Sequence, residues 1–370
     1  MSVENADMLL VVGTYTTVLP HVRGRGQGIH LLGFDSRSGT ITPGPAFGGV
    51  VNPTWLTVSR DRRRLYSVQE RDATDGAAVD CFALEGEARR LTHLASAPSG
   101  GSWPCHLSLD AAERTLFVSN YGDGRLAILS LDAEGRPSGE RRVIRHEGRG
   151  TDPERQEGPH LHQVVPTPDG QHVLLCEAGL DQIIRYPLEN GRVGAAPDLL
   201  LRTDAGSFPR HLAFLPDGTG FLVTHELAGK VDAYRYDAQG AVRQGTISIL
   251  PEDWSGVRSA AAIRIHPSGG FAYASNRGHD SICGIDLRGG PADLRHLGWW
   301  SAGGEAPRDF AIDPAGRFLV VANQDSDSLV VYAIDAATGA LQKWGAVFSI
   351  GTPVCLCFVQ LAGAETEQQK

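Results

Sequence analysis

The sequence predicts an all-β protein, a single seven-bladed β-propeller of four-stranded antiparallel blades. Three observations carry this prediction. Short apolar or alternating runs are separated by Gly, Pro and Asp along the whole chain, the pattern of strands joined by tight turns. The pattern also repeats. With Pro216 of the turn Pro216-Asp217-Gly218 as anchor, the equivalent positions are Arg60, Ala111, Pro168, Pro267 and Pro314, and successive spacings are 51, 57, 48, 51 and 47 residues. A period of this size with several strands in it is that of propeller blades. Finally, the two chain ends complete one more blade. The C-terminal TPVCLCFVQ reads as a lone opening strand, and LLVVGTYT and GIHLLGFD read as the second and third strands of a blade. Pairing them closes the ring and removes exposed sheet edges.

Each element follows in order. The 370 residues could make two domains by length alone, but the continuous repeat argues for one spanning 1–370, with tails expected at 1–8 and 362–370. The N-terminus has no basic segment before its apolar run, which predicts a cytosolic protein. Residues 17–28 join two strands and carry His21, Arg23 and Arg25 among glycines. They read as a solvated loop or, for an anionic substrate, as a basic flap over one mouth of the channel. The first repeat opens with NPTWLTVS and ends its second strand at Gln69-Glu70; the second opens with WPCHLSLD and ends at Asn120-Tyr121. The third carries a polar, Gly-rich insertion over residues 145–163, a length that more often serves function than connection. The fourth, residues 208–237, places Arg210 just before one strand and Glu226 just after the next, so the hairpin brings the two together.

Composition narrows the function. Hydrophobic residues make up 41 % of the chain, with 45 Gly and 21 Pro, which suits a turn-rich β fold. A net charge of −9 speaks against nucleic acid as a partner but leaves room for a local basic pocket. No apolar run approaches the roughly 20 residues of a membrane span. The six cysteines lie mostly in strand-like runs with no zinc spacing, so neither a metal nor a disulfide framework is expected.

Register identifies the candidate site. Six residues before the anchors stand Cys105, His162, Arg210 and Arg308; ten residues after them stand Glu70, Tyr121, Ala178, Glu226, Arg277 and Gln324. In a propeller the first strand of each blade lines the axis, so these side chains are expected to meet at one mouth of the channel. His160 and Glu177 lie close to the same positions. The asparagines one residue earlier, Asn120, Asn276 and Asn323, are expected to tie blades together.

The motifs RQEGPHLHQ, FPRHLAFLPDG, VTHELAGKVDAY, ASNRGHDSI and APRDFAIDPAGRFLVVANQDSDSLVVY resemble those of the seven-bladed propeller lactonases. That family includes bacterial 6-phosphogluconolactonases and fungal carboxymuconate lactonising enzymes, and the resemblance runs from Val11 to Phe358. It implies a metal-free, cofactor-free enzyme acting on a small anionic lactone. It also implies a site made of His162, Arg210, Arg277 and Glu226. One departure is CEAGLDQ in the third repeat, where the family more usually shows an Asp-Leu-Gly-x-Asp run.

The residue types suit that chemistry on their own terms. Ester hydrolysis needs a base for water and positive charge for the oxyanion. Glu226 is the expected base, Arg210 and Arg277 the expected anion holders, and His162 the group that orients water or protonates the leaving oxygen. His160, Arg308, Glu177, Tyr121 and Gln324 are expected to contact substrate. No GxSxG elbow or nucleotide-binding glycine motif is present. The expected activity is hydrolysis of 6-phosphogluconolactone by a monomer or weak homo-oligomer. The alternatives are a cycloisomerase closing a carboxymuconate and a propeller that binds a ligand or protein without turnover.

Overall fold

A computed structural model of the protein describes residues 6–189 and 191–361. Seven antiparallel sheets surround a central axis. The first complete blade runs from its inner strand outwards as Leu56–Val58, Arg64–Gln69, Ala78–Glu85 and Arg90–Pro98. Five more follow, with inner strands Pro104–Leu109, Leu161–Pro166, Pro209–Phe214, Ala260–Ile265 and Pro307–Ile312. The closing blade is built as expected from both chain ends. Its inner strand Pro353–Gln360 pairs with Met8–Thr14, which pairs with Ile29–Asp35. Inner strands of neighbouring blades touch around the ring, and Pro353–Gln360 lies against both Pro307–Ile312 and Leu56–Val58.

Period-two patterning builds the core between blades rather than within them. Along the fully buried strand Met8–Thr14, Leu10 and Val12 pack with Val320 and Val331 of the preceding blade. Leu9 and Val11 pack with Leu65 and Phe82 of the following one. Each blade therefore needs both neighbours to bury its two faces, which is why the ring must close.

The N-terminal tail expected over 1–8 is corrected at its inner end. Met8 pairs with Gln360, and the Asp7 carboxylate accepts the backbone N–H of Ser36 at 2.8 Å. Residues 1–5 and the expected tail 362–370 lie outside the described residues. Residues 17–28 are more than a solvated loop. They contain a short hairpin, Val18–Leu19 with Val22–Arg23, tied to the Asn52 side chain, which accepts the N–H groups of Thr16 and Thr17 at 2.9 and 3.1 Å. No helix among the described residues is long and apolar enough to cross a membrane.

Candidate active site

One backbone device recurs at the mouth of the channel. A residue with left-handed backbone precedes a proline, and the residue after that proline falls in a β-bulge. In the fourth repeat Phe208 has φ 63°, and the pairing register slips between Pro209 and His211, leaving Arg210 unpaired. The same slip frees Cys105 between Pro104 and His106, His162 between Leu161 and Gln163, and Arg308 between Pro307 and Asp309. A bulge re-aims a side chain, and here it aims four of them at the axis. The left-handed residue's carbonyl then receives the N–H of the residue that directly follows the second strand. Glu226 donates to Phe208 at 2.9 Å, Tyr121 to Trp103 at 3.0 Å, Gln324 to Ala306 at 3.0 Å and Glu70 to Asn52 at 3.1 Å.

This frame brings together the residues expected at the centre. Glu226 is buried, with Arg210 Nε at 3.1 Å and Arg277 Nη2 at 2.9 Å from one carboxylate oxygen. A third guanidinium, Arg155, donates from Nη2 to the other oxygen at 2.8 Å. Arg155 comes from the 145–163 insertion and rests over the Phe208 ring, 4.8 Å from its centre. Burial alone would raise the Glu226 carboxyl, but Arg277, Arg210 and Arg155 outweigh it and bring it down to about 2. Such a carboxylate is a weak proton acceptor. Its surroundings suit a group that organises arginines better than the base expected from sequence. Burial, followed by the neighbouring charge of Arg277, brings Arg210 down to about 9.

His162 is buried beside these groups, edge-on to Tyr121 at 5.8 Å and to His211 at 5.0 Å. Burial and then Arg210 hold its pKa well below the usual histidine range, so the ring is neutral at pH 7. Its Nδ1 and Arg210 Nη1 are buried without a protein partner. Buried polar atoms of this kind in a native fold ordinarily meet water or ligand. Next to His162, the rings of His211, His106 and Trp55 cluster with centres 4.2 to 6.1 Å apart.

The remaining expected residues separate. Arg308 lies over the Tyr15 ring at 5.3 Å and faces Glu70 at 4.0 Å. Tyr121 stacks on His160 at 4.6 Å, so the tyrosine ring borders the site. His160 itself is engaged at both ring nitrogens, by the Tyr121 carbonyl at 2.9 Å and by Glu157 at 3.2 Å, which makes it a support. Gln324 donates to Asp325 and keeps its Oε1 buried without a partner.

Glu177 does not contact the site and is a correction. It is fully buried, accepts His146 Nδ1 at 2.6 Å and the His160 N–H at 2.5 Å, and anchors the insertion. It sits one residue before the pocket-facing position, on the opposite face of its strand. There it joins Asn120, Asn276 and Asn323, whose amides hold the carbonyls of Ser99, Ile249 and Ala302. The sequence reading did not place Arg155 or Tyr15 in the site, and it put Glu70 at the channel mouth without giving it a role. Glu70 stood in register with Glu226, and that was the signal for it; Arg155 had none, because its loop has no period. Among the described residues no cluster of His, Cys, Asp or Glu is arranged to hold a metal ion.

Comparison with known proteins agrees with this architecture. The family described as "Lactonase, 7-bladed beta-propeller" matches residues 9–358. A protein of Bacillus subtilis named 6-phosphogluconolactonase is 30% identical over 350 residues, 94% of this chain and 97% of its own length. A 6-phosphogluconolactonase of Formosa agariphila is 30% identical over 345 residues, covering 90% of this chain and 94% of its own. The solved structure of a periplasmic gluconolactonase from Pseudomonas aeruginosa superposes with a TM-score of 0.88 at 30% identity, over 95% of this chain and 99% of that one. The chain belongs to the lactonase family of seven-bladed β-propellers.

Proposed function

We propose that the protein hydrolyses a small anionic sugar lactone, 6-phosphogluconolactone being the substrate favoured. The observation that carries this reading is the gathering of three arginines on one buried carboxylate, with Arg210 Nη1 and His162 Nδ1 left unpartnered beside it. With Arg308 added, the pocket holds four guanidiniums against the carboxylates of Glu226 and Glu70. That excess of positive charge suits a phosphate monoester, which carries about −1.5 to −2 at pH 7. Two relatives are named for the phosphorylated substrate.

In this reading Arg210 and Arg277 hold the phosphate or meet the oxyanion as water adds to the carbonyl, with Glu226 fixing their planes. Neutral His162 orients the water through its free nitrogen. Tyr121, Arg308 and Gln324 line the substrate, and no cofactor takes part. Six free cysteines fit the reducing cytosol as the site of the reaction.

The test is turnover of the purified protein on 6-phosphogluconolactone and on a carboxymuconate, side by side, with spontaneous hydrolysis subtracted. Opening of the phosphorylated lactone is expected. Turnover of the muconate alone would transfer the site to cyclisation, and turnover of neither would leave a binding propeller.

A further inference from the structure

We propose that Glu70, rather than Glu226, is the proton-transfer residue of the site. The proposal rests on the lactonase reading and assigns a step within it.

Glu70 and Glu226 occupy the same place in two blades, and each donates its N–H to the left-handed residue of its own frame. Their side chains meet opposite company. Glu226 is held by three guanidiniums. Glu70 is held by two neutral hydroxyls: Tyr15 donates to Oε1 at 2.7 Å and Thr54 donates to Oε2. Thr54 stands where Arg210 stands in the other frame. The near cation, Arg308, is 4.0 Å from Oε2, beyond hydrogen-bond reach. The ionisable groups that face Glu70 are therefore Tyr15, Arg308, Cys105 and His21, and only Arg308 is a fixed cation. Burial pushes the Tyr15 phenol well up, so it stays a neutral donor.

An ionised carboxylate has about four lone-pair sites, and two of these are filled here. Glu70 therefore retains acceptor capacity that no guanidinium fills by a direct hydrogen bond. Two carboxylates in contrasting surroundings divide the labour of acid–base catalysis in a recurrent way, one fixed as a charge and the other exchanging protons. In the proposed step Glu70 takes a proton from water as the water oxygen bonds to the lactone carbonyl carbon. The oxyanion forms opposite the arginines. As the bond from that carbon to the ring oxygen breaks, the protonated Glu70 returns the proton to the ring oxygen. The new carboxylic acid then loses its own proton to solvent, giving the open hydroxy acid as its carboxylate.

The test compares wild type, Glu70→Gln and Tyr15→Phe on 6-phosphogluconolactone, with spontaneous hydrolysis subtracted and folding checked by thermal melting. For Glu70→Gln, kcat should fall by about 10²–10⁴-fold with KM changed by less than about threefold. Tyr15→Phe removes one of the two hydrogen bonds that hold Glu70 in place, so kcat should fall by about tenfold while KM changes by less than about threefold. This second variant keeps the test alive should Glu70→Gln not fold. A folded Glu70→Gln with kcat near wild type, a loss confined to KM, or an unchanged kcat in Tyr15→Phe overturns the assignment while leaving the lactonase reading intact. A wild-type protein that does not open the lactone overturns both.

Discussion

Glu226 and Glu70 directly follow the second strands of two blades at one channel mouth, and the backbone treats them alike. What differs is the residue at the equivalent position beside each, Arg210 for one and Thr54 for the other, and what neighbouring blades add. Arg277 and Arg155 reach Glu226, whereas Tyr15 reaches Glu70. A repeated frame thus delivers two carboxylates of different character with no change of fold. In a repeat protein, register tells where a side chain goes, and neighbours decide its chemistry.

The largest expected effect removes the frame itself. Ending the chain after Gly351 deletes Pro353–Gln360, exposing the apolar faces of two blades and the edge of Met8–Thr14. The product should aggregate or lose its cooperative melting transition in calorimetry, and both carboxylates should lose their setting together. A soluble truncation with wild-type stability would break the comparison at its root.

Next comes the charge inside the arginine cluster. Glu226→Gln leaves Arg210 and Arg277 buried without their counter-charge and should cost about 3–5 kcal/mol in urea unfolding. Its pKa lies below the unfolded value, so the stability it supplies is fully present above about 4.5 and is lost as pH falls towards about 2. The difference between wild type and Glu226→Gln should therefore shrink across that window. The single-turnover rate of bound substrate should change by less than about tenfold, well short of the loss of a general base. A larger fall would return the base to Glu226.

The smallest effect concerns Arg155, whose side chain is 41% exposed. Arg155→Ala should change stability by no more than about 1 kcal/mol, as for other exposed ion pairs. KM for a phosphorylated lactone should nevertheless rise by about tenfold, the loss of one charge-assisted hydrogen bond. KM for an uncharged lactone should stay unchanged. Equal effects on both substrates would place Arg155 in loop structure alone.

Sequence reading reached the seven blades, the closure and the meeting of Arg210 with Glu226 because a hairpin can be counted from its turn. The same counting placed Arg277, His162 and Arg308 at one mouth. It failed where period-two alternation decides direction. Glu177 lies one residue short of the pocket-facing position and turns to His146. It also failed for partners delivered from elsewhere. Arg155 rides on an aperiodic insertion, and Tyr15 meets Glu70 from a blade whose strands come from opposite ends of the chain. The proline before three of the four bulged residues, at 104, 209 and 307, is a visible mark of the frame whose meaning only the pairing slip reveals.

The closing blade has a consequence for how the protein is made. Met8 pairs with Gln360, so the strand Met8–Thr14 waits for the strand Pro353–Gln360 to be made before its inner edge is covered. Such a contact spans most of the sequence, and pairings of this kind form slowly. Throughout translation the nascent chain carries an open edge and two apolar blade faces, the features that invite misassociation. A circular permutant that starts at Pro353 and joins the old ends would turn this long-range pairing into a local hairpin. It would convert a late, vulnerable closure into an early one while keeping every side chain of the channel in place.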